Sequence, residues 1–107
     1  MSANQNEKHS DLMERANAAG IDFLRTEIHT AFTFIQVAET SSSLETRARN
    51  FGLALEGYRA VLHFLPRLVP TPDERAEIDR SMGKLKQRLG EAGYSSETSL
   101  PADSKST

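Results

Sequence analysis

The chain has no cysteine, which removes disulfides, thiolate nucleophiles and cysteine-based metal sites together. A small secreted fold often depends on such staples, so the reducing cytosol is the expected setting and the expected localisation is cytoplasmic. Long apolar runs are missing too, and nothing approaches the ~20 residues of a membrane-spanning helix. Residues 1–8, MSANQNEK, lack a basic stretch followed by an apolar one, so no secretory signal is visible. A basic excess is also absent. Lys and Arg number 13 against 15 Asp and Glu, for a formal net charge of −2, whereas a generic nucleic-acid binder carries surplus positive charge. Arg47, Arg49, Arg59 and Arg67 along one segment make only a sparse basic face. Neither a nucleic-acid nor a membrane partner is expected.

Catalytic constellations are missing as well. The histidines are His9, His29 and His63, and no pair has the i, i+4 spacing that sets two imidazoles on one helical face around a metal. No Glu-x-x-His pair is repeated on two helices, as a helical di-metal site requires. There is no glycine-rich phosphate loop and no nucleophile elbow. Glu56, Arg59 and His63 share a face, but such a cluster is an ordinary solvated group of charges. No catalytic residue, metal ligand, cofactor or small-molecule substrate is therefore expected, and the chain reads as a non-enzyme.

What is present is helical periodicity. With 107 residues there is room for one domain. The expected layout is a polar, mobile N-terminus over 1–9, a helical domain over 10–93, and a disordered, serine-rich tail over 94–107. Leu12, Ala16, Ala19 and Phe23 recur at helical spacing, with Gly20 interrupting at roughly 1 kcal/mol relative to alanine. This segment either lengthens the first helix or forms a fourth short one. From Ile21 to Thr40 the seam Ile21, Leu24, Ile28, Ala31, Ile35, Ala38 keeps one face inward, with Phe32 and Phe34 flanking it. Three serines follow, and Ser42 with Glu45 predicts a capping box for the next helix. So short a link makes the two helices antiparallel.

The second helix, about Leu44 to Leu65, carries three apolar stripes. One is Leu44, Ala48, Phe51, Leu55, Tyr58, Leu62 and Leu65; another is Leu53, Gly57, Ala60 and Phe64; Ala54, Val61 and Leu68 form a third edge. A helix apolar over most of its circumference is buried on several sides, so it is expected at the centre, with Gly57 and Ala60 permitting close approach. Pro66 ends or kinks it. Thr71-Pro72-Asp73-Glu74 reads as an N-cap, a proline at the first helical position and a capping-box glutamate. The third helix presents Ile78, Met82, Leu85, Leu89 and Ala92, and Gly90 or Gly93 stops it. The fold class is all-α, an antiparallel three-helix bundle.

Three resemblances attach to particular residues. Glu27-Ile28-His29, followed by Ile35-Gln36-Val37, resembles the phospho-accepting helix of certain sensor kinases, which would make His29 a phosphotransfer residue. The residues after it, Thr30 to Phe34, depart from the basic and asparagine pattern of that helix. Ala54, Tyr58 and Pro66 are similar in spacing to the second helix of a tetratricopeptide repeat, although Ala38, Ser41, Ser42 and Glu45 stand where that repeat's first-helix signature belongs. The stretch from Tyr58 to Arg67, the Thr-x-x-Glu helix start and Leu85-Lys-Gln-Arg-Leu89 resemble a group of short bacterial proteins of unknown function. That likeness implies a stand-alone helical domain in a bacterial cytoplasm.

The remaining lead is surplus apolar surface. A three-helix core has no evident use for Phe23, Phe34, Leu53 and Phe64 beyond its main seams, and leaving several large apolar groups in water costs solubility. Three outlets exist. The N-terminal segment with Leu12 and Met13 folds over them, two copies dimerise, or a partner helix docks. The expected function is a helical interaction module, acting as a homodimer or a docking domain for another protein, with Phe34, Leu53 and Phe64 as contact residues. Phosphotransfer or regulation through His29 is the alternative.

Overall fold

The computed structural model describes residues 2–94, with side chains from His9 onward. Among the described residues there are three α-helices and no strand: α1 (Ser2–Thr40), α2 (Leu44–Phe64) and α3 (Pro72–Glu91). A short 3-10 turn, Leu65–Arg67, separates α2 from α3. The architecture is the expected all-α antiparallel three-helix bundle.

The seam of α1 is buried as its spacing predicts. Ile21, Leu24, Ile28, Ala31, Ile35 and Ala38 all lie inside. On α3 the buried stripe is Ile78, Met82, Leu85 and Leu89, with Ala92 half-buried beside it. Each such Leu or Ile contributes roughly 1.5–3 kcal/mol by leaving water, and no buried side-chain polar atom among the described residues lacks a partner.

Helix α2 differs from expectation. Its buried residues are Phe51, Ala54, Tyr58 and Val61, continued by Leu65 in the turn. Leu44 is 82% exposed and Leu62 46%, so the face is rotated from the anticipated one and α2 is not enclosed on all sides. The rotation brings the small Ala54 inward and lets α1 approach closely. A Cβ placed on Gly57 would stand 3.4 Å from the Cβ of Ala31 and 3.5 Å from the carbonyl oxygen of Glu27. Helix α3 then lies along one side of the α1–α2 pair. The Arg25–Glu77 ion pair (3.0 Å) and the Arg88–Glu39 pair tie it to α1.

The helix ends explain the chain's direction. Ser43, not Ser42, caps α2, its Oγ accepting from the Thr46 N–H, while the Ser41 Oγ accepts from the Ser43 N–H. The capping box at Thr71 and Glu74 forms in both directions, at 3.1 and 2.8 Å. Helix α3 stops at Gly93, whose φ is +93°. There the N–H of Gly93 donates to Gly90 and that of Tyr94 to Leu89, the paired bonds of a glycine-terminated helix. Tyr94 then stacks on Phe51 with centroids 5.4 Å apart. The fold thus reaches one residue past the expected boundary, because the tyrosine ring completes the core edge. The rest of the expected tail, 95–107, lies outside the described residues.

At the other end, α1 runs unbroken from Ser2 through Gly20. The backbone of 2–9 is part of this helix, and residues 10–20 lengthen the first helix instead of forming a fourth. Gly20 is where Leu68 rests directly on α1, since a Cβ there would lie 2.5 Å from a Leu68 methyl carbon. Asn17 fastens the same contact, donating to the Val69 carbonyl at 3.0 Å and accepting from the Val69 N–H at 2.6 Å.

Candidate docking face

Because α3 covers one shoulder of the α1–α2 pair, no third helix among the described residues lies over the other. On α1 the covered shoulder carries Arg25 and Phe32. Arg25 pairs with Glu77, and Arg88 of α3 lies 5.8 Å from the Phe32 ring centroid. Phe23, Glu27, Thr30 and Phe34, spaced at four, three and four residues, form a stripe on the opposite shoulder. Leu53, Gly57, Ala60 and Phe64 of α2 follow the same spacing and run antiparallel to it.

Between these stripes lies a shallow groove of about 320 Å³, lined by Phe34, Ala31 and Glu27 from α1 and by Leu53, Gly57 and Ala60 from α2. The close crossing at Gly57 makes the groove floor backbone-deep, and Phe34 and Leu53 form its walls at one end. Two of the anticipated contact residues, Phe34 and Leu53, are thus brought together, both half-buried. The third, Phe64, is 38% exposed and lies farther along the same face. It packs edge-to-face on Phe23 at 5.7 Å, with Arg67 5.7 Å from its centroid and the His63 ring at 4.8 Å. Phe23, 44% exposed, was not among the anticipated site residues. Its position four residues before Glu27 and eleven before Phe34 was the available signal.

Beyond the Phe23–Phe64 pair a second depression of about 430 Å³ opens where Met13, Ala16 and Asn17 meet Leu68 and Val69. Leu12 and Met13 are each 60% exposed. The N-terminal segment therefore does not fold over the surplus aromatics. A continuous helix carries it straight past them.

Other candidate groups stay apart. His29 is exposed on α1 and borders a depression with Arg25, Phe32 and Glu77 on the α3 side. The hydrogen bond to Glu77 and then its negative charge raise the Arg25 pKa above the usual arginine value. The contribution of such a raised group is present below the ordinary arginine pKa and fades only above it, so Arg25 stays charged throughout the working range and supplies no pH switch. Among the described residues no group of His, Asp or Glu is placed to hold a metal ion, and no helix is long and apolar enough to cross a membrane.

No protein-family model, curated protein or solved structure matches the chain.

Proposed function

We propose that this protein is a non-enzymatic helical interaction module whose working surface is the uncovered shoulder of the α1–α2 pair. The observation that carries the reading is the row of aromatic and aliphatic groups Phe34, Leu53, Phe23 and Phe64 along a groove whose floor is made close-packed by Gly57. Aromatic anchors at the centre of a face, ringed by charge, are the usual composition of a contact that excludes water. Glu27 and Glu56 border the groove, and His63 and Arg67 border its Phe64 end. A helix, from a second copy or from another protein, fits a channel between two antiparallel helices better than a loop or strand does, since it can repeat the four-three spacing of the walls.

The test uses the absence of native cysteine. Ala60→Cys places one thiol in the groove and Arg49→Cys places one on an exposed part of α2. Alkylation of the thiol at position 60 should slow markedly relative to that at position 49 whenever the protein is assembled. Adding Phe64→Asp should remove that protection while cooperative unfolding persists. Equal labelling of both thiols in every assembled state would rule the face out as the contact surface.

A further inference from the structure

The occupant of this face follows from what α1 does before it enters the bundle. We infer that the groove receives the N-terminal arm of α1 from a second copy of the same chain, and gives its own arm in return, forming a twofold arm-exchanged dimer. The inference rests on the docking-face reading above and adds the partner to it.

Four observations converge. First, the arm has little support within its own chain. Residues 9–16 of α1 are all exposed, and the molecule measures 65 Å along an axis against 28 and 22 Å across. A helical stretch of that length without tertiary packing is marginal in water. Second, the arm is amphipathic. His9, Leu12, Met13, Ala16, Ala19 and Phe23 lie on one side, whereas Asp11, Glu14 and Arg15 lie on the other. That apolar side is a direct continuation of the stripe Phe23, Glu27, Thr30, Phe34 along the groove. Third, the lengths agree. Residues 9–20 span roughly 18 Å of helix and residues 23–34 roughly the same, at 1.5 Å per residue. An antiparallel pair of α1 helices centred near Phe23 sets Leu12 of each copy beside Phe34 of the other and Ala16 beside Thr30. The small Ala16 and Ala19 then leave Glu27 and Glu56 room to reach water.

Fourth, reciprocity supplies the needed area. Half the wall of a helix of this length, about 10 Å across, is roughly 280 Å² on each surface, which alone is too little for a stable interface. Repeated by a twofold axis it reaches roughly 1,100 Å² in total, the lower end of specific interfaces, and the axis closes the assembly at two copies. The other segments of the chain do not serve. The arm cannot fold back onto its own groove because α1 is continuous through Gly20. Residues 95–107 contain a single large apolar residue, Leu100, too little to cover three phenylalanines and a leucine.

The test measures sedimentation of the full chain across a hundredfold concentration range, with three companions. Leu12→Asp/Met13→Asp changes two arm side chains that are each 60% exposed and absent from the buried core. Phe64→Asp changes the groove. Ala16→Cys mixed with separately made Thr30→Cys, joined by a short bismaleimide, reports the register. The expected result is a reversible wild-type dimer, weakened roughly 100-fold or more by either aspartate variant, with position 16 of one copy linked to position 30 of another. A wild-type dimer broken by Phe64→Asp but untouched by Leu12→Asp/Met13→Asp, and without that cross-link, overturns the arm exchange while the docking face stands. A dimer indifferent to all of these changes overturns both. A wild-type chain that stays monomeric over the whole range overturns the inference and passes the face to a foreign helix, which the thiol-protection test with Ala60→Cys then decides.

Discussion

Glycines in this protein have opposite energetic signs depending on what surrounds them. Gly83 lies within α3 with nothing within 4 Å of where a Cβ would be. Its chief effect is the conformational freedom it gives the unfolded chain, so Gly83→Ala should stabilise by about 1 kcal/mol. Gly93 also has open space around it, but its φ of +93° is one that L side chains adopt at a cost. Gly93→Ala should destabilise by about 1 kcal/mol and loosen Tyr94 from Phe51. Urea titrations of the two variants should move their midpoints in opposite directions. A shared direction would mean that the end of α3 is not held as described. Gly20 is a third case, because its missing side chain is replaced by Leu68, and any larger residue there must displace the contact that seats the turn on α1.

Elements were legible in proportion to how few apolar alternatives each offered. Helix α1 from Ile21 and helix α3 each have one coherent stripe, and those stripes are the buried ones. Helix α2 has leucines or aromatics pointing in nearly every direction, so spacing alone did not choose among its stripes. What decided was the close approach of Gly57 to Ala31 together with the burial of the small Ala54, a property of two helices together. The register of Ser41 to Ser43 was ambiguous for a related reason, since three equivalent hydroxyls precede α2 and the trajectory of the link selects Ser43. Of the candidate site, Phe23, Phe34, Leu53 and Phe64 were all visible as surplus, but choosing Phe23 as a site residue depended on knowing that α3 covers the other shoulder. The rotation of α2 can be checked directly. Val61→Ala empties a fully buried site and should cost about 2 kcal/mol, while Leu62→Ala, at a position 46% exposed, should cost under about 1 kcal/mol. The reverse order in thermal melts would restore the anticipated face. At the start of α3, Thr71→Ala removes one half of a reciprocal cap and should cost about 1 kcal/mol.

For the molecule as a whole, the long axis and the small core belong to one problem. A chain with so few residues in its bundle covers only about 60% of its unfolded surface, and a large part of α1 adds backbone to be ordered with no core of its own. Alone, that arrangement leaves the arm's helix dependent on propensity. Paired, it gives both the arm and the row of phenylalanines a partner, and folding and association become linked by mass action. Thermal stability should then depend on protein concentration. A tenfold increase adds about 1.4 kcal/mol per dimer, which for a domain of this size raises Tm by roughly 3–5 °C. Calorimetry on the full chain at two concentrations should show that rise, and Leu12→Asp/Met13→Asp should melt at one temperature throughout, because nothing in its folded bundle then depends on a second copy. If the wild-type Tm does not move with concentration, association contributes nothing to the stability of the fold, and the reach of α1 past its own bundle must serve a partner that is not another copy of the chain.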